Sequence, residues 1–278
     1  MKSLNIIGCG RVGRTLARLW HDQGSYRIQD VLTRSAASAA DAIGFIGAGR
    51  AVTQLCDMRA ADVWMLAVPD RLIAQTAADL ANAAPAPAPG LVFHCSGALA
   101  STELAALQPV GWQVASAHCL LSFANPTSAL TQFTGTPCAL EGDPAALSEL
   151  EPAFTQIGAR CFPLLADNKL LYHAGAVFAT NFLPVLQAVA NQLWATSGVP
   201  ADVAAHLNAT LLQNAVSNIL TLGPAGALTG PAARGDVALV QRQGQAVTDW
   251  NAPAGDAYVA LSQLAAQLAR PSLPLKSL

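Results

Sequence analysis

The chain has 278 residues, 53% of them hydrophobic and 12% charged, with a mean hydropathy of +0.37. That balance excludes intrinsic disorder, which needs few apolar and many charged side chains. Lys and Arg number 15 against 17 Asp and Glu, a formal charge of −2, so the basic excess of a nucleic-acid or anionic-membrane surface is missing. The most apolar stretch, Ala174 to Ala190, is broken by Asn181, Pro184 and Gln187, and no uninterrupted apolar run reaches about 18 residues. Met1-Lys2 leads straight into a short strand and a glycine turn, and the expectation is a soluble cytoplasmic protein. Six cysteines without CxxC spacing read as buried thiols rather than as a disulfide framework.

In chain order, the first half alternates short apolar runs with helical patterns, the signature of a parallel sheet with crossover helices. Leu4 to Ile7 reads as a strand ending at Gly8. Val12, Leu16, Leu19 and Trp20 then recur at helical spacing up to Gly24. Ile28 to Leu32 is a second strand. Asp62 to Val68 is a near-continuous apolar run, as in a strand buried on both faces. A helix over Leu72 to Ala84 and a stiff Pro-Ala connector, Pro85 to Pro89, follow. Leu91 to His94 and Gln113 to Ala117 are further strands; Thr136 to Leu140 and Arg160 to Phe162 flank a helix that starts near Pro144. From Asn168 onward only helical patterns occur: Asn168 to about Ser197, Ala201 to Leu222, a Gly/Pro-rich loop from Gly223 to Gly235, and two shorter helices. The expectation is a doubly wound, mostly parallel α/β domain over residues 1–165 and an all-helical domain over 166–278.

Gly8-Cys9-Gly10-Arg11-Val12-Gly13 fits GxGxxG between a strand and a helix. In a dinucleotide-binding turn the first glycine bends the chain, the second admits the diphosphate, and the third lets helix pack on strand. The helix N-terminus adds free N–H groups and the positive end of its dipole. About 20 residues on, an NAD site carries an acid for the ribose 2′-hydroxyl. This chain has Thr33-Arg34-Ser35 there, with Asp30 earlier inside the strand, a pattern suited to a 2′-phosphate and hence to NADP(H). A solvated surface Arg34 is the competing reading.

Ligands of open parallel sheets sit beyond the carboxyl ends of the strands. That rule selects Val68-Pro69-Asp70, His94-Cys95-Ser96-Gly97 and the run His118 to Phe123, which contains Cys119 and Ser122. His94, Cys95, His118 and Cys119 are zinc-type ligands. Adjacent His-Cys pairs cannot easily both point inward from an extended strand, so no metal is expected. Ser96-Gly97 reads instead as a small-residue floor under a nicotinamide. Lys169, Tyr172 and His173 share one helix face, with Asn181 further along, so ionisable groups converge on an otherwise apolar helix. Buried structural polar groups are the alternative. Hydride transfer needs a proton source beside the nicotinamide, and histidine or a desolvated lysine can supply it.

Together the Gly8 turn, Thr33 to Ser35, Ala67 to Asp70, Ser96-Gly97, His118 to Phe123, Lys169 to Ala174 and Leu228 to Asp236 resemble the Rossmann-like proteins that carry a DUF2520 domain. That family is related in fold to pyrroline-5-carboxylate reductase and deazaflavin-dependent NADP oxidoreductase. The resemblance implies an NADP-binding domain, a helical domain that forms a homodimer, and a cleft between them. By analogy with hydroxyacid dehydrogenases it puts Lys169 at a catalytic position, although His173 stands where those enzymes have asparagine. It also puts Arg234 near the cleft or a subunit contact, with Asp236 capping the next helix. The expected function is an NADP(H)-dependent oxidoreductase acting on a small carbonyl, imine or hydroxy compound through His118, Ser122, Lys169, Tyr172 and His173. A non-catalytic NADP-binding sensor and a carrier that reduces a flavin-type cofactor are the alternatives.

Overall fold

The computed structural model describes residues 1–83 and 89–270, so the expected connector lies, except for Pro89, outside the described residues. They form two compact units that divide between Asn181 and Phe182. The first contains β1 (Lys2–Ile7), α1 (Arg11–Gln23), β2 (Tyr26–Leu32), α2 (Ala36–Ile46), β3 (Arg50–Val52), β4 (Val63–Leu66), α3 (Ile73–Ala81) and β5 (Leu91–His94). It continues with β6 (Gln113–Cys119), α4 (Pro126–Gln132), β7 (Pro137–Gly142), α5 (Pro144–Gln156), β8 (Arg160–Pro163) and α6 (Lys169–Ala176).

The eight strands form one sheet in the order β3-β2-β1-β4-β5-β6-β7-β8. All neighbours are parallel except β6 and β7, whose antiparallel register sets Ser116 opposite Glu141 and Cys119 opposite Cys138. The mostly parallel, doubly wound fold therefore stands, with one reversed pairing. Alternate residues of each strand serve opposite faces. Leu4, Ile6, Val63, Met65 and Phe93 pack with Leu16 and Trp20 of α1 and with Leu150 and Phe154 of α5. Ile7, Trp64, Leu66 and Val92 pack with Ile73 and Ala77 of α3 and with Leu104 and Leu107. Trp20 is fully buried, meets Tyr26, Phe93 and Phe154 edge to face, and donates its indole N–H to the Ala153 carbonyl at 3.0 Å. Both faces are thus covered, and ligand-binding edges remain only at the strand ends.

α6 continues through a π-helical turn, Val177–Asn181, into α7 (Phe182–Thr196). The helical stretch Ala166–Thr196 has the length and mean hydropathy, 1.2, of a membrane-crossing helix. Lys169 within it, however, is buried in the first unit with its charge paired. The second unit comprises α7, α8 (Ala201–Ala227), α9 (Pro231–Arg234), α10 (Val237–Trp250) and α11 (Ala252–Leu268). α8 outruns its expected end at Leu222 and breaks at Gly223, where φ is +73° just ahead of Pro224. The expected loop from Gly223 to Gly235 thus holds the last turn of α8 and all of α9. Asp236 caps α10 as expected, accepting from the Leu239 N–H at 3.1 Å. Leu211, Ile219, Leu220 and Leu222 stand exposed on α8.

Candidate active site

The strand order reverses between β1 and β4, the switch point at which open α/β sheets bind ligands. Gly8 sits there at φ +78°, where a Cβ would come within 2.7 Å of Val68 Cγ1 and 2.8 Å of the Ala67 carbonyl. A Cβ on Gly13 would lie 2.9 Å from that of Ala67. At Gly10 it would meet no protein atom within 4 Å and would fill the groove itself. Two glycines therefore pack strand, turn and helix, and the third keeps space open for a ligand. α1 starts at Arg11 with no side-chain cap and no acid in its first turn. Its leading N–H groups are unmatched within the helix, and cations beside them oppose the dipole unless an anion binds there.

The groove above this turn encloses about 960 Å³. Of the expected cofactor contacts, Gly8, Cys9, Gly10, Arg11, Val12, Thr33, Arg34, Val68 and Pro69 line it. Ser35 does not line it; its hydroxyl oxygen accepts from the Ser38 N–H at 3.2 Å and caps α2, leaving Ser38 on the groove wall. Arg14 and Arg71, outside the glycine and arginine motifs, bring the arginines on the wall to four. Arg14 pairs with Asp41 at 2.9 Å, while Arg11, Arg34 and Arg71 form no ion pair among the described residues. In a chain of net charge −2, this groove is built for a polyanion.

Asp30, the carboxylate nearest the place of an NAD-type acid, is already committed. It is fully buried and accepts from Arg50 at 2.9 and 3.1 Å and from Arg59 at 2.6 Å. Burial alone would raise its pKa; the hydrogen bonds from Arg59 and Arg50 outweigh that and hold it at about 2.

A second cavity, of about 320 Å³, adjoins the groove and shares Leu121, Ser122 and Asn181 with it. His118 and His173 line it, with ring centroids 5.7 Å apart. The Tyr172 hydroxyl lies 2.9 Å from His118 Nδ1. Burial, reinforced by the His173 and Lys169 charges, lowers the His118 pKa to about 4, so the ring is neutral near pH 7. Burial raises the Tyr172 pKa, keeping its hydroxyl protonated. Gly97 lies beneath both imidazoles: a Cβ there would collide with His173 and come within 2.7 Å of His118.

The Ser96–Ala100 turn under the histidines is held by side chains. His94 Nδ1 accepts from the Ser96 N–H at 3.2 Å, so Nε2 carries the proton and donates to the Ala100 carbonyl at 3.0 Å. Both ring nitrogens are thereby used, and burial keeps the His94 pKa near 4. Among the described residues, no cluster of three potential metal ligands forms. The Ser96 hydroxyl donates to Asp70 at 2.8 Å. Lys169 is only 1% exposed; its ammonium donates to Ser116 Oγ at 2.5 Å and to the Ser96 carbonyl at 3.1 Å, and stands 3.9 Å from Glu141. Burial lowers its pKa against the opposing attraction of Glu141. Glu141 also accepts from the Ser101 N–H at 2.6 Å and hydroxyl at 2.8 Å. Neither Ser116 nor Glu141 carries a sequence signal, because their partners lie tens of residues away in the chain. A further hollow of about 530 Å³, lined by Lys2, Asp62 and Gln113, lies at the amino-terminal strand edge, away from these groups.

Residues 1–119 match the model of a Rossmann-like domain, and residues 136–265 match the domain of unknown function DUF2520. None of the curated proteins matches the chain in sequence. A protein from Thermotoga maritima is 26% identical, with 96% of this chain and 98% of that one covered at a TM-score of 0.72. A Bacteroides fragilis protein, named as a candidate NADP oxidoreductase, is 20% identical over 95% and 98% of the two chains, at a TM-score of 0.73. A pyrroline carboxylate reductase from Plasmodium falciparum, solved with NADP bound, is 10% identical over 96% and 98%, at a TM-score of 0.58. At these last two identities the likeness is one of fold.

Proposed function

We propose that the protein is an NADP(H)-dependent oxidoreductase that transfers hydride to or from a small carbonyl, imine or hydroxy compound. The observation that carries this reading is the sharing of Leu121, Ser122 and Asn181 by the arginine-lined groove and the histidine cavity. A dinucleotide lying along the groove would end where the cavity begins. The NADP-bound neighbour of the same fold supports the choice of cofactor.

Gly10 and the N-terminus of α1 are assigned to the diphosphate. Arg34, with Thr33 and Ser38, is assigned to the 2′-phosphate, a role Asp30 cannot contest because two arginines hold it. When bound, the cofactor would supply a hydride donor or acceptor at its nicotinamide, which Val68 and Pro69 on the groove wall are assigned to hold; Ser96 and Gly97, expected there as well, are buried and line neither the groove nor the cavity. Neutral His118, held through Nδ1 by the Tyr172 hydroxyl, is assigned to polarise the substrate heteroatom. His173 delivers the proton that accompanies the hydride. Ser122 orients the substrate at the cavity mouth. Lys169 holds the Ser96 carbonyl and so fixes the turn on which the two histidines rest.

The exposed apolar side chains of α8 support a homodimer through the C-terminal helices, which sedimentation at micromolar concentration would test. Six free cysteines fit a reducing compartment such as the cytoplasm.

The experiment is calorimetric titration with NADPH and NADH, followed by a screen of NADPH oxidation and NADP reduction over small oxo, imino and hydroxy compounds. Micromolar NADPH binding with turnover of at least one class is expected. Absence of binding by either coenzyme overturns the reading.

A further inference from the structure

A short helical turn, Asp70–Leu72, follows β4 and continues the groove wall from Val68 and Pro69 to Arg71 and Leu72. Its backbone is closed. The Leu72 N–H donates to the Pro69 carbonyl at 2.8 Å and the Ile73 N–H to the Asp70 carbonyl, with the Ile73 side chain fully buried. Asp70 sits within this wall segment but does not line the groove. It is exposed and, among the described residues, forms no ion pair. Its Oδ2 instead accepts from the Ser96 hydroxyl at 2.8 Å.

Ser96 is 5% exposed, and all its polar atoms are engaged. Its N–H donates to His94 Nδ1 at 3.2 Å, and its carbonyl accepts from Lys169 at 3.1 Å. Its hydroxyl oxygen accepts from the Ala98 and Leu99 N–H groups at 3.2 and 3.0 Å. A hydroxyl has two lone pairs and one proton. With both lone pairs taken inside the turn, the proton must leave the turn, and Asp70 receives it. Without that carboxylate a buried donor is left unmatched, and rotating it towards another acceptor breaks the closure onto Ala98 and Leu99. The closed turn places Gly97 directly beneath both imidazoles. Its other ties come from the sheet and from α6: His94 on β5, Glu141 on β7 and Lys169. Asp70 is the tie that comes from the groove wall.

We propose that Asp70 is a positioning residue that, through Ser96, fixes the turn beneath His118 and His173 relative to the Val68–Pro69 wall. The inference rests on the hydride-transfer reading for its catalytic consequence and deepens it by naming the group that keeps cofactor seat and histidines in register. Asp70 acts through Ser96 and is assigned no contact with cofactor or substrate. A misplacement of about 1 Å between reacting groups can slow a step roughly a hundredfold, so a single tie can matter to the rate.

The test is a double-mutant cycle on the full chain. Asp70→Ala and Ser96→Ala should each lower kcat at least about tenfold, with the calorimetric Kd for NADPH staying within about threefold. Asp70→Ala/Ser96→Ala should be no slower than the slower single variant, because both changes remove the same tie. Asp70→Asn keeps an acceptor oxygen without the charge and should restore most of the rate. A second readout needs no turnover: NMR of isotope-labelled histidine rings. Asp70→Ala should shift the His118 and His173 resonances and leave His206, on α8, in place; Asp70→Asn should keep all three near the parent. If Ser96→Ala fails to fold, the comparison of Asp70→Ala with Asp70→Asn decides alone. Multiplied losses in the double variant, NADPH affinity falling in step with kcat, or unmoved His118 and His173 rings overturn the inference. So does an Asn variant as displaced as the Ala one, which would make the charge responsible and not the bond. No turnover by the parent, with the ring shifts as expected, counts against the hydride-transfer reading and leaves the positioning role standing.

Discussion

The Lys169 ammonium lies 2.5 Å from the Ser116 hydroxyl oxygen, joining the first turn of α6 to the interior of β6. With the Ser96 carbonyl and Glu141 it closes a buried polar cluster behind the cavity rather than within it. Lys169→Met should leave the buried Glu141 without its cation, lowering unfolding free energy in urea by about 3 kcal/mol. Lys169→Met/Glu141→Gln should recover part of that loss. A single variant as stable as the parent would deny the cluster its structural weight.

His94 and His118 make stability depend on pH. Both stay neutral in the folded chain down to about pH 4, whereas the unfolded chain takes up protons from about 6.5. The unfolded state therefore binds more protons across that window, and the histidines' contribution to stability should fall as pH drops from 6.5 to 4 and level off below it. For His94, fully buried, the loss is at most about 3 kcal/mol. Asp30 acts lower, between its ordinary 3.8 and about 2. Urea midpoints at pH 7, 5.5 and 4.5 measure the first effect, and His118→Asn should reduce the slope by roughly half.

Arg34→Ala should weaken NADPH binding by about 10- to 100-fold while changing NADH affinity less than about threefold, because only the former carries the 2′-phosphate. Calorimetry with both coenzymes reads the difference. Equal losses would move Arg34 from phosphate recognition to general electrostatics.

Gly97→Ala places a methyl group against both imidazoles of the cavity. The rings must move, so turnover should fall at least about tenfold. NADPH affinity should stay within a few-fold, since the diphosphate and 2′-phosphate contacts are untouched. Full activity in this variant would show that the histidines need not stand where they do.

The glycine turn, the alternation that feeds two cores, the helical C-terminal half and the Asp236 cap were all legible in the sequence. Each depends on residues within one or two turns of each other, where backbone sterics and 2- or 3.6-residue periodicity decide the outcome. Grouping Lys169, Tyr172 and His173 on one face was legible for the same reason. The reversal of β7 was not, since strand direction belongs to a pair of strands and not to either alone. Ser38 stayed hidden behind its neighbour Ser35, which has the better position for a helix cap. Depth was equally illegible: helical spacing put Lys169 beside His173, but only packing against β6 and β7 buried the one and left the other lining a cavity. Local patterns determined which segments are strands, turns and helices, because that chemistry is written in adjacent residues. Which polar groups pair, which stay free and which carry unmatched charge was decided by tertiary contacts between residues far apart in the chain, through burial and the pairing it compels.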